Sequence, residues 1–89
     1  MARSKVHLLE LLENANAVLL EEEYHDALVG HSVGANPRAI YDVEKILSIE
    51  QARTGWKKED CWDWLEYNLF PEFNPSQRVN HPIFLYPYY

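Results

Sequence analysis

The residues whose types and spacing could do chemistry are, first, carboxylates. Glu59, Asp63 and Glu66 recur at i, i+4 and i+7, which places them on one face of a helix. Two carboxylates work as general acid and base when their surroundings push their pKa values apart. A row of acids on a solvated helical face offers no such asymmetry. The same residues have another reading, negative charge offered to a basic partner, although the plainer one, a solvated face that aids solubility, comes first. Imidazoles come next. His25, Asp26 and His31 could supply three ligands, but a metal ion needs its ligands at about 2 Å from one point. This spacing spans a predicted strand and has no metal-site signature, so no metal and no other cofactor is expected. Cys61 is the sole cysteine; it rules out an internal disulfide and a zinc site of paired cysteines, and is expected to be a buried thiol. Gly30, Gly34 and Gly55 make no phosphate-binding loop, and no serine sits in a nucleophile elbow. Tyr41, Asp42, Tyr67 and Asn68 are the set for a cleft that takes a small ligand or does catalysis. Tyr41 and Asp42, however, read first as a core aromatic and a helix cap. The expectation is a protein that is not an enzyme.

These residues need elements to position them. Leu8, Leu11, Leu12, Ala15, Val18 and Leu19 recur at spacings of three and four, predicting a helix from residue 5 to about 20 with Ser4 as its N-cap. Two β-prone runs, Asp26–Gly30 and Arg38–Tyr41, flank a loop containing Gly34, Asn36 and Pro37 and predict a hairpin. Asp42 is suited to cap a second helix over about residues 43–54, with Val43, Ile46, Leu47 and Ala52 on its buried side and Gly55 closing it. A third helix is predicted over about residues 58–70. It opens on Glu59 and Asp60, where acids complement the dipole, and stops at Pro71. Cys61, Trp62, Trp64, Leu65, Leu69 and Phe70 occupy most of the rest of that helix. An apolar surface this wide predicts either a helix sandwiched in the domain or one that faces a partner. Residues 71–82 read as irregular. Ile83–Tyr86, bounded by Pro82 and Pro87, reads as a short strand best tolerated at a sheet edge. The predicted fold is α+β: about three helices with a small antiparallel sheet of two or three short strands, in a single domain over residues 1–89 with frayed termini.

Size and charge narrow the function classes. Eighty-nine residues suffice for one domain, not two. Twelve aromatic residues (three Trp, six Tyr and three Phe) compensate for the modest burial available to a chain this short. No segment has the ~18 apolar residues that span a bilayer, so no membrane association is expected. With Glu10, Glu13, Asn14 and Asn16 interrupting the first apolar run, no signal peptide is expected either, and the predicted location is cytoplasmic. The net charge is −6, which opposes direct nucleic-acid binding. The charge is uneven: six acids and two bases in residues 1–30, three acids and five bases in 31–58, and five acids without a base in 59–74. The bases Arg38, Lys45, Arg53, Lys57 and Lys58 read as ordinary solvated surface.

The aromatic terminus, Tyr86, Tyr88 and Tyr89 around Pro87, is the best interface candidate, since tyrosine gives large contact area at low entropic cost. The predicted partner-binding residues are therefore Glu59, Asp63, Glu66, Tyr86, Tyr88 and Tyr89.

Four pieces in matching order, Asp26–Gly30, Arg38–Lys45, Trp64–Asn68 and Pro82–Tyr86, resemble a group of small uncharacterised proteins of phages and bacterial mobile elements. The chain departs from that pattern at Lys57, where the group has a Ser or Thr cap, and in a longer loop at residues 72–81. The resemblance implies one α+β unit and a phage accessory role, hence host cytoplasm, and carries no functional residues over. The resulting expectation is a non-enzymatic protein-binding module. Its partner would be a host protein such as a nucleic-acid-binding defence complex, in the manner of an anti-CRISPR. The alternatives are a structural or regulatory homo-oligomer, with the apolar surface of the third helix at a twofold interface, and a small-ligand binder or enzyme.

Overall fold

The computed structural model describes residues 4–73 and 80–87. Helix α1 runs over Lys5–Asn14, and Ser4 Oγ accepts the His7 N–H at 3.3 Å at its start. The helix ends well before residue 20. Asn16 adopts a left-handed φ of 57°, the Asn16 N–H bonds the Glu13 carbonyl, and the Ala17 N–H reaches back to Leu12. This pair of bonds is a Schellman closure, for which asparagine is the usual substitute when glycine is absent. Val18 and Leu19 therefore lie on extended chain, and Leu20 is the residue that enters the core. Two hydrogen bonds fix this stretch: the Val18 N–H bonds the Asn80 backbone carbonyl at 2.9 Å, and the Leu20 N–H bonds the Tyr41 hydroxyl at 2.9 Å.

A 3₁₀ turn over Glu22–Ala27 leads into β1, Leu28–His31. Strand β1 pairs antiparallel with β2, Ala39–Asp42, through a bulge between Leu28 and Gly30. The intervening loop is closed by Ser32 and Arg38: Ser32 Oγ accepts the Arg38 N–H and the Ser32 N–H bonds the Arg38 carbonyl, both at 2.9 Å. The expected hairpin is present, and the bulge is what sequence spacing leaves open. Asp42 ends β2 and caps α2, Val43–Thr54, accepting the N–H groups of Glu44 and Lys45. Gly55 follows at φ 76°, a conformation that costs any side chain carrying a Cβ. On α2, Val43, Ile46 and Leu47 are buried as expected, whereas Ala52 is exposed and its expected place is taken by Glu50.

Helix α3 covers Lys58–Trp64 and widens into a π turn over Leu65–Leu69, with the Phe70 N–H bonded to the Leu65 carbonyl five residues back. Pro71, which has no N–H to give, opens a 3₁₀ turn over Pro71–Phe73. Strand β3, Ile83–Leu85, pairs with β2 on its free side. Its direction differs from expectation: β3 runs parallel to β2, so the sheet is mixed rather than antiparallel. The reason is connectivity. With α2 and α3 between the strands, the chain crosses back over the sheet and re-enters it in the same direction.

One face of this sheet is covered. Leu28, Ala39 and Tyr41 pack with Leu8 and Leu12 of α1, Val43, Ile46 and Leu47 of α2, and Cys61, Leu65 and Leu69 of the third helical segment. Cys61 is a buried free thiol. The breadth of apolar surface on α3 is taken up internally, because Trp62, Trp64 and Phe70 also pack on this core. The opposite face of the sheet carries Ile40, Ile83 and Leu85, by strand alternation with Tyr41 and Phe84. Leu85 is exposed there, and Val29, in the bulge of β1, is exposed as well. No helix among the described residues is long and apolar enough to cross a membrane.

Candidate functional site

The predicted site residues fall into three groups once folded. Glu59, Asp63 and Tyr86 are brought together: with Leu47, Lys58 and Trp62 they line an open groove of about 630 Å³ between α2, α3 and the end of β3. Glu66 is not part of the lining; its carboxylate accepts the indole N–H of Trp62, which is part of it. Tyr88 and Tyr89 lie outside the described residues.

The groove is built on α3. Glu59, Trp62 and Asp63 sit three and four positions apart, so their side chains emerge from one side of the helix. Trp62 is held on three sides. Its N–H is bound by Glu66, its ring meets Phe70 at 6.0 Å and 72°, and it meets Tyr86 at 5.6 Å and 77°. Edge-to-face pairs of this kind are favoured by the ring quadrupoles. Phe70 continues the stack to Phe84 of β3 at 4.9 Å, so the aromatic wall is continuous from α3 to the sheet.

Tyr86 is anchored from α2. Its hydroxyl donates to Glu44 Oε1, and Lys58 Nζ donates to the two oxygens of the same carboxylate at 3.0 and 3.1 Å. The Tyr86 hydroxyl, and after it the Lys58 ammonium, hold the Glu44 carboxyl below the usual glutamate range. The same contact with Glu44 raises Lys58 above the usual lysine range. Lys58 is thus committed to Glu44, while Glu59 and Asp63 are exposed and have no ion-pair partner among the described residues. Two carboxylates, Glu59 and Asp63, line this groove against one ammonium that Glu44 already holds, which leaves it negative.

Sequence reasoning missed Glu44, Lys58 and Trp62 as site residues. Trp62 carried a usable signal, an indole one position from Asp63 and three from Glu59 on the same helix. Glu44 carried none, because its partner Tyr86 is 42 residues away.

Three of the bases that the sequence groups together are engaged with other parts of the chain. Arg38 donates from Nε to the His81 carbonyl at 2.9 Å, Arg53 pairs with Glu50, and Lys58 pairs with Glu44. The residues considered for a catalytic cleft do not converge. Tyr41 is fully buried with its hydroxyl on Leu20, Asp42 caps α2, Tyr67 is 81% exposed, and the Asn68 amide bonds the Trp64 carbonyl. No three His, Cys, Asp or Glu side chains among the described residues are placed to hold a metal ion.

A second concavity of about 480 Å³ lies between the 3₁₀ turn at Glu22–Ala27 and the third helical segment, lined in part by Tyr24, Arg53, Trp64, Asn68 and Glu72. Beneath it Glu50, 1% exposed, receives the Tyr24 hydroxyl at 2.5 Å and Arg53 Nη2 at 2.5 Å. This cluster ties the chain before β1 to α2 and is satisfied within itself.

No family model, curated protein or solved structure matches the chain.

Proposed function

We propose that this protein is a non-enzymatic binding module whose groove between α2, α3 and Tyr86 docks on a basic surface of another protein. The observation that carries this reading is the pairing of two uncompensated carboxylates, Glu59 and Asp63, with the aromatic wall of Trp62 and Tyr86 in one concavity. Aromatic side chains supply buried contact area at protein interfaces, and complementary charge supplies steering and register. The concrete form is a phage or mobile-element accessory protein, acting in the host cytoplasm, that occupies a nucleic-acid-binding host protein such as a CRISPR effector. The four sequence pieces that resemble such phage proteins, and the negative groove, support it. Direct binding of nucleic acid is disfavoured by the same charge.

The test is affinity capture from bacterial lysate with the wild-type chain and with Glu59→Lys/Asp63→Lys. The expected result is stoichiometric recovery of a nucleic-acid-binding protein by the wild type, competed by nucleic acid, and at least tenfold less recovery with the double variant. Recovery of no such protein, or equal recovery by both forms, would overturn the proposal.

A homo-oligomer is the second reading, favoured by the apolar sheet face of Ile40, Ile83 and Leu85, on which Leu85 is exposed, rather than by α3. Sedimentation at micromolar concentration tests it: a dimer mass that Leu85→Lys converts to monomer supports it, and a monomer mass for the wild type removes it.

A further inference from the structure

We infer that the groove recognises an arginine side chain of its protein partner. This rests on the binding-module reading above and deepens it by naming the feature that would be read.

Four observations converge. The rings of Trp62 and Tyr86 stand nearly perpendicular, 77° apart with centroids at 5.6 Å, so two aromatic walls meet in a corner of the groove. Aromatic rings attract cations placed within about 6 Å of their centroids, tryptophan most strongly. Glu59 and Asp63 line the same groove one helical turn apart, without an ion-pair partner among the described residues. The base beside them, Lys58, is already bound to Glu44. Leu47 supplies an apolar floor, which suits the methylene stem of a long cationic side chain.

Arginine fits this set better than lysine does. Its planar guanidinium stacks on aromatic faces and forms paired hydrogen bonds with carboxylates, whereas an ammonium is a strongly hydrated point charge. An anion is opposed by the two carboxylates that line the groove. The site is also held in place before any ligand arrives. Glu66 and Phe70 hold the Trp62 ring, and Glu44 holds the Tyr86 hydroxyl. Binding therefore orders few side chains, which is the cost that most often weakens a shallow site. The groove volume of about 630 Å³ exceeds that of one side chain and leaves room for the residues beside the arginine.

The probe is an acetylated, amidated pentapeptide alternating alanine with arginine, titrated into the full chain and followed through the Trp62 indole N–H resonance. Its citrulline counterpart has the same shape without the charge. The expected result is a saturable shift with arginine and at least tenfold weaker binding with citrulline. A lysine peptide should bind several-fold more weakly than the arginine peptide. Glu59→Gln/Asp63→Asn, both at exposed positions that leave the fold intact, should weaken the arginine peptide at least tenfold. Equal binding of arginine and citrulline peptides, an unchanged affinity in the double variant, or no shift at millimolar peptide would overturn the inference. The two proposals fail separately. Capture of a basic host protein without any peptide shift sinks the arginine site alone. A peptide shift that meets these criteria without a captured protein supports the arginine site and sinks the host-protein reading.

Discussion

The Tyr24 hydroxyl donates to Glu50 Oε1 at 2.5 Å, joining the 3₁₀ turn before β1 to the middle of α2 through a carboxylate that is 1% exposed. Arg53, 47% exposed, completes the cluster from the surface side. Tyr24→Phe removes a donor from a buried carboxylate, and the expected loss of stability is about 1–3 kcal/mol. Arg53→Ala should cost less, because its side of the ion pair is exposed and screened by solvent. Urea denaturation of both variants checks the order; a larger loss for Arg53→Ala would contradict it.

The two buried tyrosines set an alkaline limit. Burial, then the bond to Glu50, raises the Tyr24 phenol above its ordinary value of 10.0. Burial also raises Tyr41, against a lowering by the Leu20 N–H. A folded-state pKa above the unfolded one means that this part of the stability is intact below about pH 10. It is lost as pH rises from there through the folded values. Melting temperature should therefore fall steeply above pH 10, and the fall should be smaller in Tyr24→Phe when each form is referred to its own value at pH 8. Tyrosinate absorbance recorded alongside should show two tyrosines ionising only with unfolding. An equal fall in both forms would remove Tyr24 from this account.

Asn16 is the residue that stops α1. At φ 57°, Asn16→Gly should hold or raise stability, and Asn16→Ala should lower it by about 1 kcal/mol, since a Cβ opposes the left-handed conformation and alanine lacks the local compensation of asparagine. Circular dichroism melts of the two variants separate these outcomes. Equal stabilities would mean that the Schellman closure does not limit the helix.

The groove should loosen in acid. The Glu44 carboxyl is held below its ordinary value of 4.5 first by the Tyr86 hydroxyl and then by Lys58. A depressed folded-state pKa means that the attachment is complete above about pH 4.5 and is lost as pH falls through the lower folded value. Carbon-detected NMR titration of the Glu44 carboxyl should show its midpoint move toward the ordinary range in Tyr86→Phe. In the wild type, the Trp62 and Tyr86 ring resonances should change together as Glu44 protonates. A midpoint unaffected by Tyr86→Phe would show that the hydroxyl does not anchor the groove.

What the amino-acid sequence determined by itself is what depends on neighbours within about one helical turn. The caps at Ser4, Asp42 and Gly55, the stop at Pro71, the burial of Cys61 and the hairpin between residues 28 and 42 follow from local hydrogen bonding, backbone preference and apolar periodicity. Asn16 stood in plain view as well, yet the leucine and valine spacing beyond it imitated a longer helix. The decision went to a left-handed residue that periodicity does not weigh. Tertiary structure alone decided the rest. The parallel direction of β3 came from the helices placed before it, and the burial of Glu50 came from Tyr24 and Arg53 arriving together. The groove required Tyr86 to reach Glu44 and Trp62 from a distant part of the chain. Each of these needs a loop to close and a side chain to find one partner among many, and the net free energy of that choice is set by the packed whole rather than by any local run of residues.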